Sequence, residues 1–145
     1  MRPDTGNEAV DAILHAAHRI RTSIDTDLRS VGLSLPSYKV LRALSQGSRS
    51  MGAISEVLRV SPRTVTDLAD TLVARDLIAR CDHSSDARVT MLRLTPEGTA
   101  TLAQARAFAE QGHARAVSAL SRTEQRTVRH LLERVCVPIP EPPPT

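Results

Sequence analysis

The chain has 145 residues, with 19 basic and 16 acidic side chains, enough for one domain with a sizeable core and a mildly basic balance compatible with nucleic acid. Tyr38 and Phe108 are the only aromatic residues, which argues against single-stranded nucleic acid bound by base stacking. No apolar run is long enough to span a membrane and no signal-peptide segment begins the chain, so a cytoplasmic protein with no membrane partner is expected.

The first predicted element is a long amphipathic helix. Apolar residues recur at helical spacing between residues 8 and 30, which predicts a helix of roughly 23 residues. Such a helix near one end of a small protein commonly packs on a partner, and Gly32 is expected to end it. The apolar positions are Val10, Ile13, Leu14, Ala17, Ile20, Ile24 and Leu28.

Two shorter helices are predicted next. Ser34 is a typical N-cap residue and Pro36 suits a first helical turn, so a second helix begins here. Its apolar stripe is Val40, Leu41 and Leu44. After a break at residues 46–48, the pattern of residues 50–58 indicates a short third helix. Its inward side chains are expected to be Met51, Ile54, Val57 and Leu58.

A fourth helix begins with the same signal, Ser61 followed by Pro62. Its buried face is predicted to consist of Val65, Leu68, Leu72 and Val73. The opposite face carries, near the N-terminal end, the polar residues Arg63, Thr64, Thr66 and Asp67. Two short helices joined by a tight turn, the second with polar groups at its start, are typical of a helix-turn-helix.

A β-hairpin is predicted after this helix. Asp76 is suited to a left-handed turn, and residues 77–79 and 89–94 have the pattern of two strands joined by a polar tip at residues 82–87. Thr95 and Pro96 then begin another long helix, which is expected to reach about residue 120. One side of that helix is formed mostly by small residues: Leu102, Ala105, Ala109, Gly112, Ala116 and Leu120.

Residues 121–124 match a capping box and begin the last helix. Its predicted inward residues are Val128, Leu131, Leu132 and Val135. The expected fold is therefore mainly α, a winged helix-turn-helix with long N- and C-terminal helices and a small β-hairpin wing. Residues 33–99 would form the winged helix-turn-helix, residues 1–32 and 100–137 the flanking helices, and residues 138–145 a flexible proline-rich tail.

Residues 33–98 resemble the MarR family of bacterial winged-helix transcriptional regulators. Asp86, Arg88, Leu92, Leu94, Thr95 and Gly98 have the spacing of the family's wing signature, and residues 60–66 are similar to the start of its recognition helix. The resemblance implies a homodimer joined by the first and last helices, which are then dimerisation helices. Residues 1–32 and 100–137 would form the helical dimerisation region, and residues 33–99 the DNA-binding domain. It also implies binding to pseudo-palindromic duplex DNA, and usually repression that a small molecule or an oxidant relieves. Three residues depart from the family pattern: Ala87, Asp67 and Asp76 stand where an arginine, a basic or amide residue, and a glycine are usual.

The candidate DNA-binding residues lie on the fourth helix and the hairpin. Arg63, Thr64 and Thr66 are expected in the major groove, where arginine pairs with guanine and threonine contacts base edges; a solvated polar face is the alternative. Asp67 is expected to pair with a neighbouring arginine, or otherwise to accept a hydrogen bond from cytosine. The helix N-terminus, with its unpaired N–H groups between Ser61 and Thr64, offers a phosphate site.

In the resembling family, an arginine at the position of Arg88 enters the minor groove beside the recognition site. Asp86 is expected to orient that guanidinium or to stabilise the turn. Arg49 and Arg59 flank the short third helix and are candidates for phosphate contacts.

Other polar residues suggest regulation. Cys81, beside Arg80, is interpreted either as a small buried residue or as a redox switch in the wing, and Cys136 has no predicted partner. The family's effectors bind between the dimer base and the DNA-binding lobe. The residues of this chain that could line such a crevice are His15, His18, Tyr38 and Arg42.

No cofactor or metal is expected, because the histidines are scattered and no carboxylate or cysteine completes a ligand set. No catalytic constellation or glycine-rich phosphate loop is present either, so an enzyme is excluded. Two functions remain open: a dimeric transcriptional regulator that binds double-stranded DNA, and a winged-helix protein-interaction module without specific DNA binding.

Overall fold

A computed structural model describes residues 5–135, with side chains from residue 8 onward. The described residues form six α-helices and three short strands. In chain order these are α1 Thr5–Arg29, α2 Leu35–Leu44, β1 Arg49–Ser50, α3 Met51–Leu58, α4 Pro62–Ala74, β2 Ile78–Asp82, β3 Thr90–Leu94, α5 Pro96–Ala116 and α6 Arg122–Glu133. The chain divides into two compact units, one up to His113 and one from Ala114. The predicted tail at residues 138–145 and Cys136 lie outside the described residues.

Serine caps define the starts of four helices. The side chains of Ser34, Ser50, Ser61 and Ser121 each accept a hydrogen bond from the backbone N–H three residues later. Such a cap contributes about 1 kcal/mol by satisfying a donor that the helix leaves unpaired. Glu124 completes the predicted capping box of α6. The cap at Ser50 differs from the prediction, which placed this residue inside the third helix.

The three strands form one antiparallel sheet in the order β1-β3-β2. Ile78 lies opposite Leu94 and Asp82 opposite Thr90, so β2 and β3 form the predicted hairpin. The short strand β1 pairs Arg49 with Leu92 on the other edge of β3. The sequence did not predict β1, because two residues show no alternation and their pairing partner lies far along the chain.

The core of the first unit is a single apolar cluster. It contains residues from all the helices of that unit and from both strands of the hairpin. The most deeply buried of its larger side chains are Leu28, Leu33, Leu41, Ile54, Leu72, Ile78 and Leu92. On α4, Val65 and Leu72 are buried as predicted, whereas Leu68 and Val73 are only half-buried and Ala69 completes the face. On α5, the small residues Ala105, Ala109 and Gly112 are buried, whereas Ala116 on the same side is exposed.

Several residues predicted to face inward are exposed. Val57 is 58% exposed, because α3 is a short helix that buries only a narrow side centred on Ile54 and leaves Val57 on its flank. On α1, Val10 and Leu14 are exposed, while Ile24 and Leu28 are buried. The four apolar residues of the last helix predicted to face inward are 41–51% exposed: Val128, Leu131, Leu132 and Val135. The inward prediction is therefore wrong within the protomer, since a helical period does not tell what covers the apolar face.

Candidate nucleic-acid interface

The N-terminal end of α4 presents exposed polar side chains. The Ser61 hydroxyl accepts the N–H of Thr64 at 3.1 Å and lies 2.9 Å from the Thr64 hydroxyl. Thr66 donates its hydroxyl to the Pro62 carbonyl at 3.1 Å. Pro62 stands in the first turn, where its missing N–H costs nothing. The hydroxyls nearest the cap are thus bonded within the helix, which makes this end of α4 rigid.

Arg63 and Asp67 lie one helical turn apart on this face, and both are exposed. Neither side chain makes a hydrogen bond or ion pair with any other residue in the described part of the chain. The prediction that Asp67 pairs with a neighbouring arginine is therefore wrong within the described residues, although Arg63 and Asp67 are spaced as an i, i+4 pair. Arg63 presents a free guanidinium, and Asp67 a free carboxylate, to whatever approaches α4.

The tip of the hairpin, residues 83–89, is closed by its own hydrogen bonds. Asp86 accepts both the backbone N–H of Arg88 at 3.0 Å and its Nε at 3.2 Å. The N–H of Val89 donates to the Asp86 carbonyl at 3.1 Å. The Arg88 side chain is 91% exposed, so Asp86 holds its inner end while its outer nitrogens stay free. Asp86 therefore both stabilises the turn and orients the guanidinium, as predicted.

His83 and Ser85 complete the tip. The His83 Nδ1 lies 3.2 Å from the Ser85 backbone nitrogen and 3.0 Å from its hydroxyl. Because the Ser85 N–H is a donor, Nδ1 of His83 acts as its acceptor in this turn.

The two other arginine candidates differ. Arg49 is half-buried, and its Nε donates to the Ala43 carbonyl at 2.8 Å, which ties β1 to the end of α2. Arg59 is exposed and caps α3 in the left-handed conformation, with φ of +54°. The Ser55 hydroxyl fixes the following turn by donating to the Val60 carbonyl at 2.7 Å. Of the two, Arg59 has the freer guanidinium.

The junction between α4 and the hairpin is fixed by the residues that match the wing signature. Asp76 adopts the expected left-handed conformation with φ of +56°, and its carbonyl accepts the hydroxyl of Thr95. The Thr95 N–H donates to the Leu77 carbonyl at 3.2 Å, and its hydroxyl accepts the Gly98 N–H at 2.9 Å. A Cβ at Gly98 would lie 1.8 Å from the Leu77 carbonyl oxygen. The Leu-Thr-x-x-Gly pattern therefore has a direct structural cause.

Two of the residues proposed for an effector pocket line different depressions in the described part of the chain. His18 lines a shallow depression on α1 with Arg19, Thr22 and Ser23, and His15 lies exposed one turn before it. Arg42 lines a different cavity of about 140 Å³ with Lys39, Ala43, Val57 and Leu58. The Arg42 guanidinium lies 5.9 Å from the centre of the buried Tyr38 ring.

Cys81 is half-buried in β2 opposite Met91, rather than fully buried. Among the described residues, no three histidine, cysteine or acidic side chains cluster in a way that would hold a metal ion. No helix in the described range 5–135 has the length and apolar character to cross a membrane.

Helices α3 and α4, joined by a tight turn and followed by the β2–β3 hairpin, define a winged helix-turn-helix protein. An exposed arginine lies near the start of α4 and another at the hairpin tip. Comparisons with known proteins identify the family. A family model described as MarR family matches residues 33–90. The HTH-type transcriptional repressor MdtR of Bacillus subtilis is 30% identical over 118 residues, which cover 81% of this chain and 76% of that protein. The chain belongs to the MarR family, and it is a transcriptional regulator rather than an enzyme.

Solved structures share the fold. The chain is similar to an Escherichia coli MarR mutant complexed with operator DNA, with a TM-score of 0.80 at 22% identity over 91% of this chain and 98% of that one. It is also similar to BpsR of Bordetella bronchiseptica, whose DNA binding is regulated by 6-hydroxynicotinic acid. That match has a TM-score of 0.76 at 25% identity, over 88% of this chain and 97% of that one.

Proposed function

We propose that this regulator is a homodimeric repressor that binds pseudo-palindromic duplex DNA, with the start of α4 in the major groove and the wing in the flanking minor groove. The observation that carries the proposal is the pair of exposed guanidinium groups of Arg63, which has no partner among the described residues, and of Arg88, whose outer nitrogens stay free. The first lies at the end of a capped helix and the second at a hairpin tip where Asp86 orients it. The fold shared with operator-bound MarR supports this docking.

The chemistry of each side chain suggests its contact. Arg63 is suited to the two acceptors of guanine, and the methyl groups of Thr64 and Thr66 to thymine. The carboxylate of Asp67 repels the phosphate backbone, and it accepts a hydrogen bond only where a cytosine amino group faces it. Arg59 and the start of α4 are proposed to contact phosphates, and Arg49 does so only through the nitrogens that Ala43 leaves free.

Charge alone does not explain attraction to DNA. Residues 45–93 contain seven arginines and six acidic residues, a difference of 7 − 6 = +1. Asp70 and Asp86 neutralise Arg80 and Arg88 in part. Affinity for the phosphate backbone therefore depends on where the unpaired arginines lie, which favours a complex that is sensitive to salt and of moderate strength.

The exposed apolar residues of α1 and of α6 favour a dimer. Each set lies along one helix and would leave water on contact with a second copy of the chain. We propose that residues 1–32 and 100–137 form this dimer base and that residues 33–99 form the DNA-binding domain. The two α4 helices would then meet successive major grooves about 34 Å apart.

Regulation by a small molecule is part of the proposal, because DNA binding by BpsR is regulated by 6-hydroxynicotinic acid. Arg42, stacked on Tyr38, is the cation placed to meet an acidic effector, with His15 and His18 joining the site only through the dimer. Oxidation of Cys81 in the wing is a second proposed input. A regulator acting on chromosomal DNA would work in the cytoplasm.

The test is binding of the purified protein to the promoter region beside its own gene, measured by fluorescence anisotropy. Arg63→Ala and Arg88→Ala should each weaken binding by about tenfold or more. Arg19→Ala is the matched control, because Arg19 is an exposed arginine on α1, away from α4 and the wing. If both variants bind as tightly as the wild type, or if the wild type does not bind at all, the protein-interaction module is favoured.

A further inference from the structure

One ion pair joins the recognition helix to the wing. The Nη2 of Arg80, at the centre of β2, contacts the Oδ1 of Asp70 on α4. The pairs Arg29–Asp25 and Arg129–Glu133 each join residues four apart on a single helix, and Arg88–Asp86 lies inside one turn. The Asp70–Arg80 pair instead spans the two elements that carry the proposed DNA contacts.

The Asp70–Arg80 pair lies between Arg63 and Arg88 along the chain, so it can affect how these two arginines are placed relative to each other. Asp70 lies seven residues after Arg63 along α4, and Arg80 lies eight residues before Arg88. At the far end, the turn from α4 into β2 is held by Thr95 and by the close approach of Gly98. Beside that junction, Leu72 of α4 and Ile78 of β2 lie in the same apolar core, but no residue of β2 after Ile78 is fully buried. The Asp70–Arg80 pair therefore ties α4 to the part of β2 that leads to the wing tip, and it acts on the angle between them.

The pair is too exposed to be explained by its contribution to folding. The side chains of Arg80 and Asp70 are 38% and 61% exposed, and ion pairs at such sites contribute little to the free energy of unfolding. Arg80 points its guanidinium at α4, and its Cα lies opposite Leu92. The carboxylate of Asp70 thus determines where this cation lies.

We infer that the Asp70–Arg80 pair is a brace that sets the angle between α4 and the wing, so that Arg63 and Arg88 reach adjacent grooves together. Asp70 and Arg80 are in this sense positioning residues, and the inference rests on the proposed function. It assigns them no contact with DNA. Their effect passes through Arg88, so loss of the brace matters only where the wing contributes to binding.

The experiment compares two duplexes in anisotropy titrations. Both carry the promoter site that the wild type protects in footprinting; in one the flanks are replaced by A·T pairs and in the other by G·C pairs, which weakens the minor-groove contribution. Asp70→Asn and Arg80→Gln should each lose about threefold to tenfold affinity for the first duplex and less than about twofold for the second. In an Arg88→Ala background, Asp70→Asn should have almost no further effect.

Charge exchange gives the sharpest readout. The double variant Asp70→Arg with Arg80→Asp restores the pair with its partners reversed, and should recover affinity to within about threefold of wild type. Arg93→Gln is the matched control for Arg80→Gln. Arg93 is an exposed arginine on the adjacent strand β3, has no ion pair among residues 8–135, and its loss changes the net charge equally.

Each other outcome overturns the inference. Tighter binding by Asp70→Asn with a steeper salt dependence would make Arg80 a phosphate contact that Asp70 restrains. Equal losses on both duplexes, or no recovery in the exchange variant, would reduce the pair to a structural role. Wild-type affinity in both single variants removes the brace alone, whereas failure of the wild type to bind either duplex removes the proposed function and the brace with it.

Discussion

The α-carbon of Gly98 packs directly against the carbonyl group of Leu77, where an added Cβ would lie 1.8 Å from the oxygen. The Leu77 carbonyl also accepts the N–H of Thr95. Neither this carbonyl nor α5 can therefore move aside without breaking the junction between α4 and the wing. We expect Gly98→Ala to lower the free energy of unfolding by about 3 kcal/mol or more, because backbone clashes relax poorly. Urea denaturation followed by circular dichroism measures the loss.

Gly52→Ala is the control for that substitution. Gly52 lies in α3, and a Cβ there would meet only the Ser50 hydroxyl, at 3.9 Å. Alanine at such a helical position stabilises by up to about 1 kcal/mol. Equal unfolding energies for the two variants would contradict the assignment of Gly98 as a steric contact.

Local signals explain why so much of this fold was predictable. A capping serine, a first-turn proline or a left-handed Asp76 acts on its immediate neighbours, so the sequence reveals α2, α4, α6 and the exit turn before any tertiary contact is known. Strand β1 has no such signal, because Arg49 and Ser50 are a strand only through β3. The exposure of Val57 likewise depends on which flank of α3 another element covers.

Some residues of the candidate site are placed by local signals in the sequence, and others by contacts between elements. Arg63 and Arg88 are exposed where the sequence put them, because their positions follow from a helix start and a hairpin tip. Whether Asp67 finds a cation depends on side chains from several elements, and the predicted ion pair is absent among the described residues. The Asp70–Arg80 contact joins residues from a helix and a strand, and neither periodicity nor capping chemistry indicates it.

Asp67 should weaken DNA binding. Its carboxylate is exposed and unpaired on the described face of α4 that carries Arg63, so it repels phosphates. We expect Asp67→Asn to raise affinity for promoter DNA by about threefold to tenfold at low salt and by less at high salt, because counterions screen the repulsion. Anisotropy titrations across a salt series measure both effects. A loss of affinity confined to sites with cytosine opposite α4 would instead make Asp67 a base-reading residue.

The same salt series tests the number of phosphate contacts. With roughly three charged phosphate contacts in each half-site, a plot of the logarithm of the association constant against the logarithm of salt concentration should have a slope of about −5. Arg59→Ala should make that slope shallower by about two for the dimer, one contact in each half-site. A wild-type slope close to zero would rule out binding through the phosphate backbone.

The exposed apolar face of α6 should hold the dimer together. Leu131 is 51% exposed in the single chain, so placing a charge there costs the protomer little but would bury an unpaired charge in a dimer. We expect Leu131→Glu to shift the protein toward monomer by a hundredfold or so in dimer dissociation constant, about 3 kcal/mol, as measured by analytical ultracentrifugation. His130→Glu places the same charge on the neighbouring exposed position and should leave the dimer largely intact.

Asp25 should support the fold most strongly at neutral pH. Its carboxylate accepts the backbone N–H of Leu35 at 2.9 Å, and Arg29 donates from one turn away at 3.1 Å. The N–H of Leu35 chiefly holds the pKa of Asp25 below its usual value; burial opposes this shift, and the hydrogen bond and charge of Arg29 add smaller lowering effects. Because the ionised form is favoured in the folded state, its contribution is present above the ordinary carboxyl pKa. That contribution is lost as the pH falls through the lowered pKa.

We therefore expect Asp25→Asn to lower the free energy of unfolding at pH 7 by about 1 kcal/mol, since the bond ties α1 to the start of α2 through a charged acceptor. The difference from wild type should shrink as the pH falls and disappear below the folded pKa, where the wild-type carboxyl is also neutral. Urea denaturation at a series of pH values measures this. Asp11→Asn is the control, an exposed carboxylate on the same helix, and a pH-independent gap between Asp25→Asn and wild type would show that the amide disrupts packing instead.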